Sequence, residues 1–128
     1  MNLLLDTHAF LWAIGGDPRL SKAAGLVFLD PENQLHFSIV SYWEICIKHA
    51  LGKLLLAANW QRVFDNEMAA NGIHWLALEK EHCAGIIDLP LHHRDPFDRL
   101  LVSQAMQEDL TLVSRDANFA KYEINTLW

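Results

Sequence analysis

Four carboxylates stand where predicted secondary structure changes character. Asp6 follows the apolar run Leu3-Leu4-Leu5, Glu44 lies just inside the helix that Ser41 opens, Asp98 lies just inside the helix that Asp95-Pro96 opens, and Asp116 follows Thr111-Leu112-Val113. Two carboxylates about 6 Å apart at an effective dielectric of roughly 20 repel by about 3 kcal/mol, so acids that converge need a cation or shared protons. All-oxygen ligation without cysteine favours Mg²⁺ or Mn²⁺ over zinc. An ion so held activates water and clamps the oxygens of a phosphodiester.

The elements that must position these acids are short. Leu3-Leu4-Leu5, apolar on every side, reads as a strand buried on both faces, the habit of a parallel sheet. A helix follows over His8–Ile14 and closes on Gly15-Gly16; Ser21 caps a second through about Leu29. Leu35-His36-Phe37 with Ile39-Val40 resembles a second strand, and Ser41 caps a third helix from Tyr42 to about Leu51, with Gly52 in the left-handed position after it. An amphipathic helix spans Asn59–Asn71, Ile73–Leu76 is a third strand, and Glu79–Ile87 is a further helix. Leu89–Arg94 is a loop. Asp95 then caps a helix whose first residue is Pro96 and whose inner face carries Leu100, Leu101, Ala105 and Met106. Thr111–Val113 and Ile124–Leu127 complete about five strands.

Alternating strands and helices specify an α/β fold: an open parallel sheet of about five short strands flanked by helices on both faces. With 128 residues and 52% hydrophobic composition the chain is expected to form one domain, 1–128. In such a sheet the strand carboxyl ends and the first turns of the following helices share one rim, where ligands bind. Asp6, Glu44 and Asp116 fall there directly, and Asp98 does too if its helix is an ordinary crossover.

The formal charge of −6 argues against a uniformly basic nucleic-acid binder, so a polyanion must be met by a local patch or a bound cation. Cys46 and Cys83 form neither a CxxC site nor a disulfide framework, and no apolar run is long enough to span a bilayer. These features point to a cytoplasmic protein with no targeting segment.

The ordered segments Leu3-Leu4-Leu5-Asp6-Thr7-His8, Ser41-Tyr42-Trp43-Glu44-Ile45 with Gly52-Lys53-Leu54, Leu89-Pro90-Leu91-His92-His93-Arg94-Asp95-Pro96-Phe97-Asp98-Arg99 and Leu112-Val113-Ser114-Arg115-Asp116 resemble the PIN-domain ribonucleases, specifically the VapC toxins of toxin–antitoxin pairs. The run from His92 to Arg99 is the most specific of them. The resemblance implies a PIN fold and a Mg²⁺- or Mn²⁺-dependent endoribonuclease with Asp6, Glu44, Asp98 and Asp116 as metal ligands. It also implies a cognate antitoxin laid over the active-site groove and a homodimer. Asp95 belongs to the local motif and ranks below the four.

Each residue also has a plainer reading. Ser41-x-x-Glu44 is a capping box, and Asp95-Pro96-x-Asp98 is a strong helix start. Capping, however, does not require four positions to converge. Thr7 and Ser114 can orient water or ligands, or merely cap. Arg94, Arg99 and Arg115 can bind RNA phosphate or pair with the neighbouring acids. His92 and His93 read as solvated or satisfied by backbone, and Trp12, Trp43 and Trp60 as core or subunit interface. Two rival functions remain: a phosphohydrolase with Asp6 as nucleophile, identified by a trapped aspartyl-phosphate, and a non-catalytic PIN-like module that binds RNA or protein, identified by absence of metal-dependent cleavage.

Overall fold

The structure, a computed structural model, describes residues 1–128. Strand β1 (Asn2–Leu5) is central because its three leucines leave no face for water; all three are essentially inaccessible. Successive side chains alternate across the sheet, so Leu3 and Leu5 enter one core layer and Leu4 the other. Around β1 the parallel strands β2 (Gln34–Ser38), β3 (Ile73–Leu76), β4 (Thr111–Val113) and β5 (Thr126–Leu127) are arranged in the order β3-β2-β1-β4-β5.

Helices α1 (Thr7–Gly15), α2 (Lys22–Leu29), α3 (Ile39–Ala50) and α4 (Trp60–Ala70) contribute Phe10, Phe28, Ile45 and Phe64 to the layer containing Leu3 and Leu5. Helix α6 (Pro96–Gln107) covers the other face with Leu101, Val102 and Ala105, joined by Phe119 and Tyr122. Between β3 and α6 lie the short α5 (Lys80–Gly85) and the 3-10 turn Ile86–Asp88. No helix is long and apolar enough to cross a membrane.

The chain leaves β1 towards β2 and β3 and returns to place β4 on the opposite side of β1. The strand order therefore reverses between β1 and β4, and a crevice opens at their carboxyl ends. Asp6 is the first residue past β1, and its amide extends the ladder by donating to the Val113 carbonyl at 3.1 Å.

Several expected boundaries shift. Ile39-Val40 is not strand but the first turn of α3, because Ser38 rather than Ser41 is the cap: its hydroxyl accepts the Val40 amide at 3.0 Å and donates to Gln104 Oε1 at 2.6 Å. A β-branched pair thus yields to a cap anchored from α6. Ser41 is instead buried in the first turn with its hydroxyl unpartnered, and Glu44 falls in the second turn, so the Ser41–Glu44 capping box does not form. Met106 faces outward, Ile124 and Asn125 precede β5 rather than belong to it, and the Glu79–Ile87 helix breaks into α5 and a 3-10 turn. Trp43 is also exposed, edge-on to Phe97.

Candidate metal centre

Each acid is set by a local device. Asp6 is the N-cap of α1, with Oδ1 accepting the Ala9 amide at 2.8 Å. Asp95 caps α6 by accepting the Phe97 and Asp98 amides, with Pro96 at the first helical position, which presents Asp98 from the first turn. Asp116 caps the 3-10 turn Ala117–Lys121, with Oδ1 accepting the Asn118 amide. Glu44 projects from the second turn of α3 and is buried.

These side chains converge. Asp6, Glu44, Asp95, Asp98 and Asp116 line one cleft of about 250 Å³ at the switch point, together with Thr7, His8 and Lys48. Ligand atoms of His93, Asp98 and Asp116 lie within 4.8 Å of one another. Asp95, ranked below the other four, shares the cleft while keeping its capping bonds.

Compensation within the cluster is uneven. Both Glu44 oxygens are engaged: Thr7 Oγ1 donates to Oε1 at 2.5 Å, and Lys48 Nζ, one turn along α3, pairs with Oε2 at 2.9 Å. Asp116 Oδ2 accepts from His93 Nε2 at 2.8 Å. Burial pushes Asp116 upward, yet the His93 hydrogen bond, the Asn118 amide and the electrostatic fields of the His93 ring and Lys121 outweigh it and hold the carboxyl below its ordinary range.

Asp6 and Asp98 have no such direct cationic partner. Burial raises Asp6, against the opposing effects of the Ser114 hydroxyl, the Ala9 amide and His8, and Glu44 adds repulsion. Burial, with repulsion from Asp95, Glu44 and Asp116, raises Asp98 to about 7 despite the favourable field of His93. Asp6 and Asp98 are thus the acids of this cleft whose charge a hard divalent cation would compensate, and an oxygen donor set of this kind fits Mg²⁺ or Mn²⁺.

The subsidiary candidates separate. Thr7 orients Glu44, and Ser114 is buried with its hydroxyl accepting the Asp116 amide at 3.0 Å. Arg99 is neither a free phosphate ligand nor an ion-pair partner: its guanidinium donates to the carbonyls of Ile86, Leu89 and Pro90, tying α6 to the preceding loop. Arg115 is exposed, 5.9 Å from the Trp12 ring centroid, and Arg94 is also exposed. His92 is exposed and edge-on to Tyr122, whereas His93 departs from the solvated expectation. It is buried against Phe119 and Tyr122 and reaches Asp116.

Two further cleft residues went unassigned. Lys48 had a sequence signal, its four-residue spacing from Glu44 on a helix. His8, directly after the Asp6-Thr7 pair, had none beyond adjacency.

No curated protein matches the chain by sequence. Among solved structures, VapBC2 from Rickettsia felis bound to a promoter DNA fragment is 18% identical with a TM-score of 0.74, covering 99% of this chain and 98% of that one. A toxin–antitoxin complex from Klebsiella pneumoniae is 17% identical at 0.62, covering 98% and 96%. VapBC-1 from nontypeable Haemophilus influenzae is 15% identical at 0.62, covering 99% and 97%. These likenesses establish a shared fold. The sequence profile of the PIN domain matches residues 3–125, and the chain therefore belongs to the PIN-domain family.

Proposed function

We propose that the protein is a Mg²⁺- or Mn²⁺-dependent endoribonuclease and the toxin of a toxin–antitoxin pair. The observation that carries this reading is the convergence of Asp6, Glu44, Asp98 and Asp116 in one cleft, with two of them held above their ordinary pKa by burial and mutual repulsion. Asp6, Glu44, Asp98 and Asp116 would together hold the ion. When bound, the cation supplies charge for the developing oxyanion and lowers the pKa of a nucleophilic water.

The chain's own groups have separable tasks. Thr7 fixes the direction of the Glu44 carboxylate, Lys48 offers the cleft a positive charge that phosphate can share, and Asp95 presents Asp98 by capping its helix. The similarity in fold to VapBC and other toxin–antitoxin complexes supports a protein antitoxin as partner. An acidic cleft suits a basic antitoxin segment laid over it, and a homodimer and a cytoplasmic location accord with the same reading.

The deciding experiment incubates purified protein with a pool of cellular RNA in Mg²⁺ or Mn²⁺, with and without chelator, beside the Asp6→Asn variant. Cleavage that requires both the ion and Asp6 is expected. RNA retained but uncut under all conditions would replace this reading with a non-catalytic binding module.

A further inference from the structure

His93 is a loop residue whose ring is almost fully buried, and every polar atom of its backbone donor and imidazole has a partner. Its backbone amide donates to the Tyr122 hydroxyl at 3.0 Å, Nδ1 lies 3.1 Å from that hydroxyl, and Nε2 lies 2.8 Å from Asp116 Oδ2. The imidazole is stacked on Phe119 at 4.5 Å and on Tyr122 at 5.6 Å between ring centroids. A carboxylate only accepts, so Nε2 carries the proton of that bond. The Tyr122 hydroxyl accepts the backbone amide and has its own proton to give Nδ1, which favours the tautomer with hydrogen on Nε2.

Asp116 needs such a partner more than the other acids do. Glu44 is buried on a helix and gripped by Thr7 and Lys48, whereas the Asp116 side chain is 40% exposed on the turn after β4. The Asn118 amide holds Oδ1, and the fixed imidazole holds Oδ2. The carboxylate is thereby pinned at both oxygens, facing Asp98.

We infer that Tyr122 and His93 form a positioning relay for Asp116: the tyrosine hydroxyl sets the imidazole, and the imidazole sets the carboxylate at the ion site without itself coordinating the ion. This inference rests on the divalent-ion reading of the cleft. Groups that orient a ligating side chain from behind commonly contribute 10–100-fold to metal affinity.

The test measures Mn²⁺ binding to the purified full chain by calorimetry, with a denaturation curve for each metal-free variant. Tyr122→Phe removes a hydroxyl whose hydrogen bonds go to His93, and it is expected to weaken Mn²⁺ binding by about 10-fold; His93→Ala should weaken it by about 10–100-fold. His93→Gln, which can place an amide N–H towards Asp116, should recover most of the loss. Pulsed electron paramagnetic resonance of bound Mn²⁺ should show no nitrogen coupling that depends on His93.

Wild-type affinity in folded Tyr122→Phe and His93→Ala would overturn the relay while leaving the ion site intact. A nitrogen coupling lost in His93→Gln would also overturn it, making His93 a ligand. Failure of the wild-type protein to bind Mn²⁺ or Mg²⁺ at all would overturn the ion site itself, and the relay with it.

Discussion

The Thr7 hydroxyl donates to Glu44 Oε1 at 2.5 Å, joining the first turn of α1 to the second turn of α3 across 37 positions of sequence. Both residues are buried, so the bond fixes the carboxylate in a cleft where its other oxygen is held by Lys48. Thr7→Val keeps the shape and removes the donor. Leaving a buried acceptor short of a partner costs about 1–3 kcal/mol, and a misdirected ligand loses about 10–100-fold in metal affinity. Chemical denaturation and Mn²⁺ titration measure the two effects; Thr7→Ser should restore both, and a valine variant indistinguishable from wild type would remove Thr7 from the site.

Asp6→Asn and Asp98→Asn should abolish RNA cleavage and leave the metal-free protein as stable as before or more so, because each removes charge from a crowded cleft. Asparagine also caps helices nearly as well as aspartate, so the α1 start survives the first substitution. Urea denaturation without divalent ions reads the stability. A loss of several kcal/mol would mark these residues as structural.

The pH dependence follows from Asp98. Its folded pKa of about 7 lies above the ordinary value of 3.8, so the folded state binds the proton more tightly than the unfolded chain. Stability of the metal-free protein is therefore greatest below about pH 4 as far as this group is concerned and declines as pH rises towards 7. The full shift corresponds to about 4 kcal/mol, reduced to roughly half by solvent screening at a partly exposed group. Asp98→Asn should flatten that decline, and divalent ions should displace a proton, so their affinity should rise with pH over the same window. Denaturation curves from pH 4 to pH 8 and calorimetry in buffers of different ionisation enthalpy measure both.

Asp95→Ala should cost about 1 kcal/mol as a lost cap, since its Oδ1 accepts two amides at the start of α6. It should also bring the Asp98 pKa down, because Asp95 is the leading charged contributor to that elevation. The decline in stability with pH then moves to lower pH. Loss of cleavage with stability and metal affinity unchanged would instead give Asp95 a direct part in the chemistry.

The alternation of apolar runs and capped amphipathic stretches was enough to specify the parallel α/β sheet, and the acids at strand ends and helix starts were enough to locate the rim. Both are local properties: Leu3-Leu4-Leu5 has no polar face to offer, and Asp95-Pro96 is a helix start wherever it stands. The tertiary structure decided what distant residues do to one another. Ser38 displaced Ser41 as the α3 cap with an anchor on α6, Arg99 was drawn away from phosphate by three carbonyls, and His93 was buried by a tyrosine 29 positions later in the chain. Side-chain periodicity carries no record of such partners, because a loop's burial and hydrogen bonds depend on what folds over it.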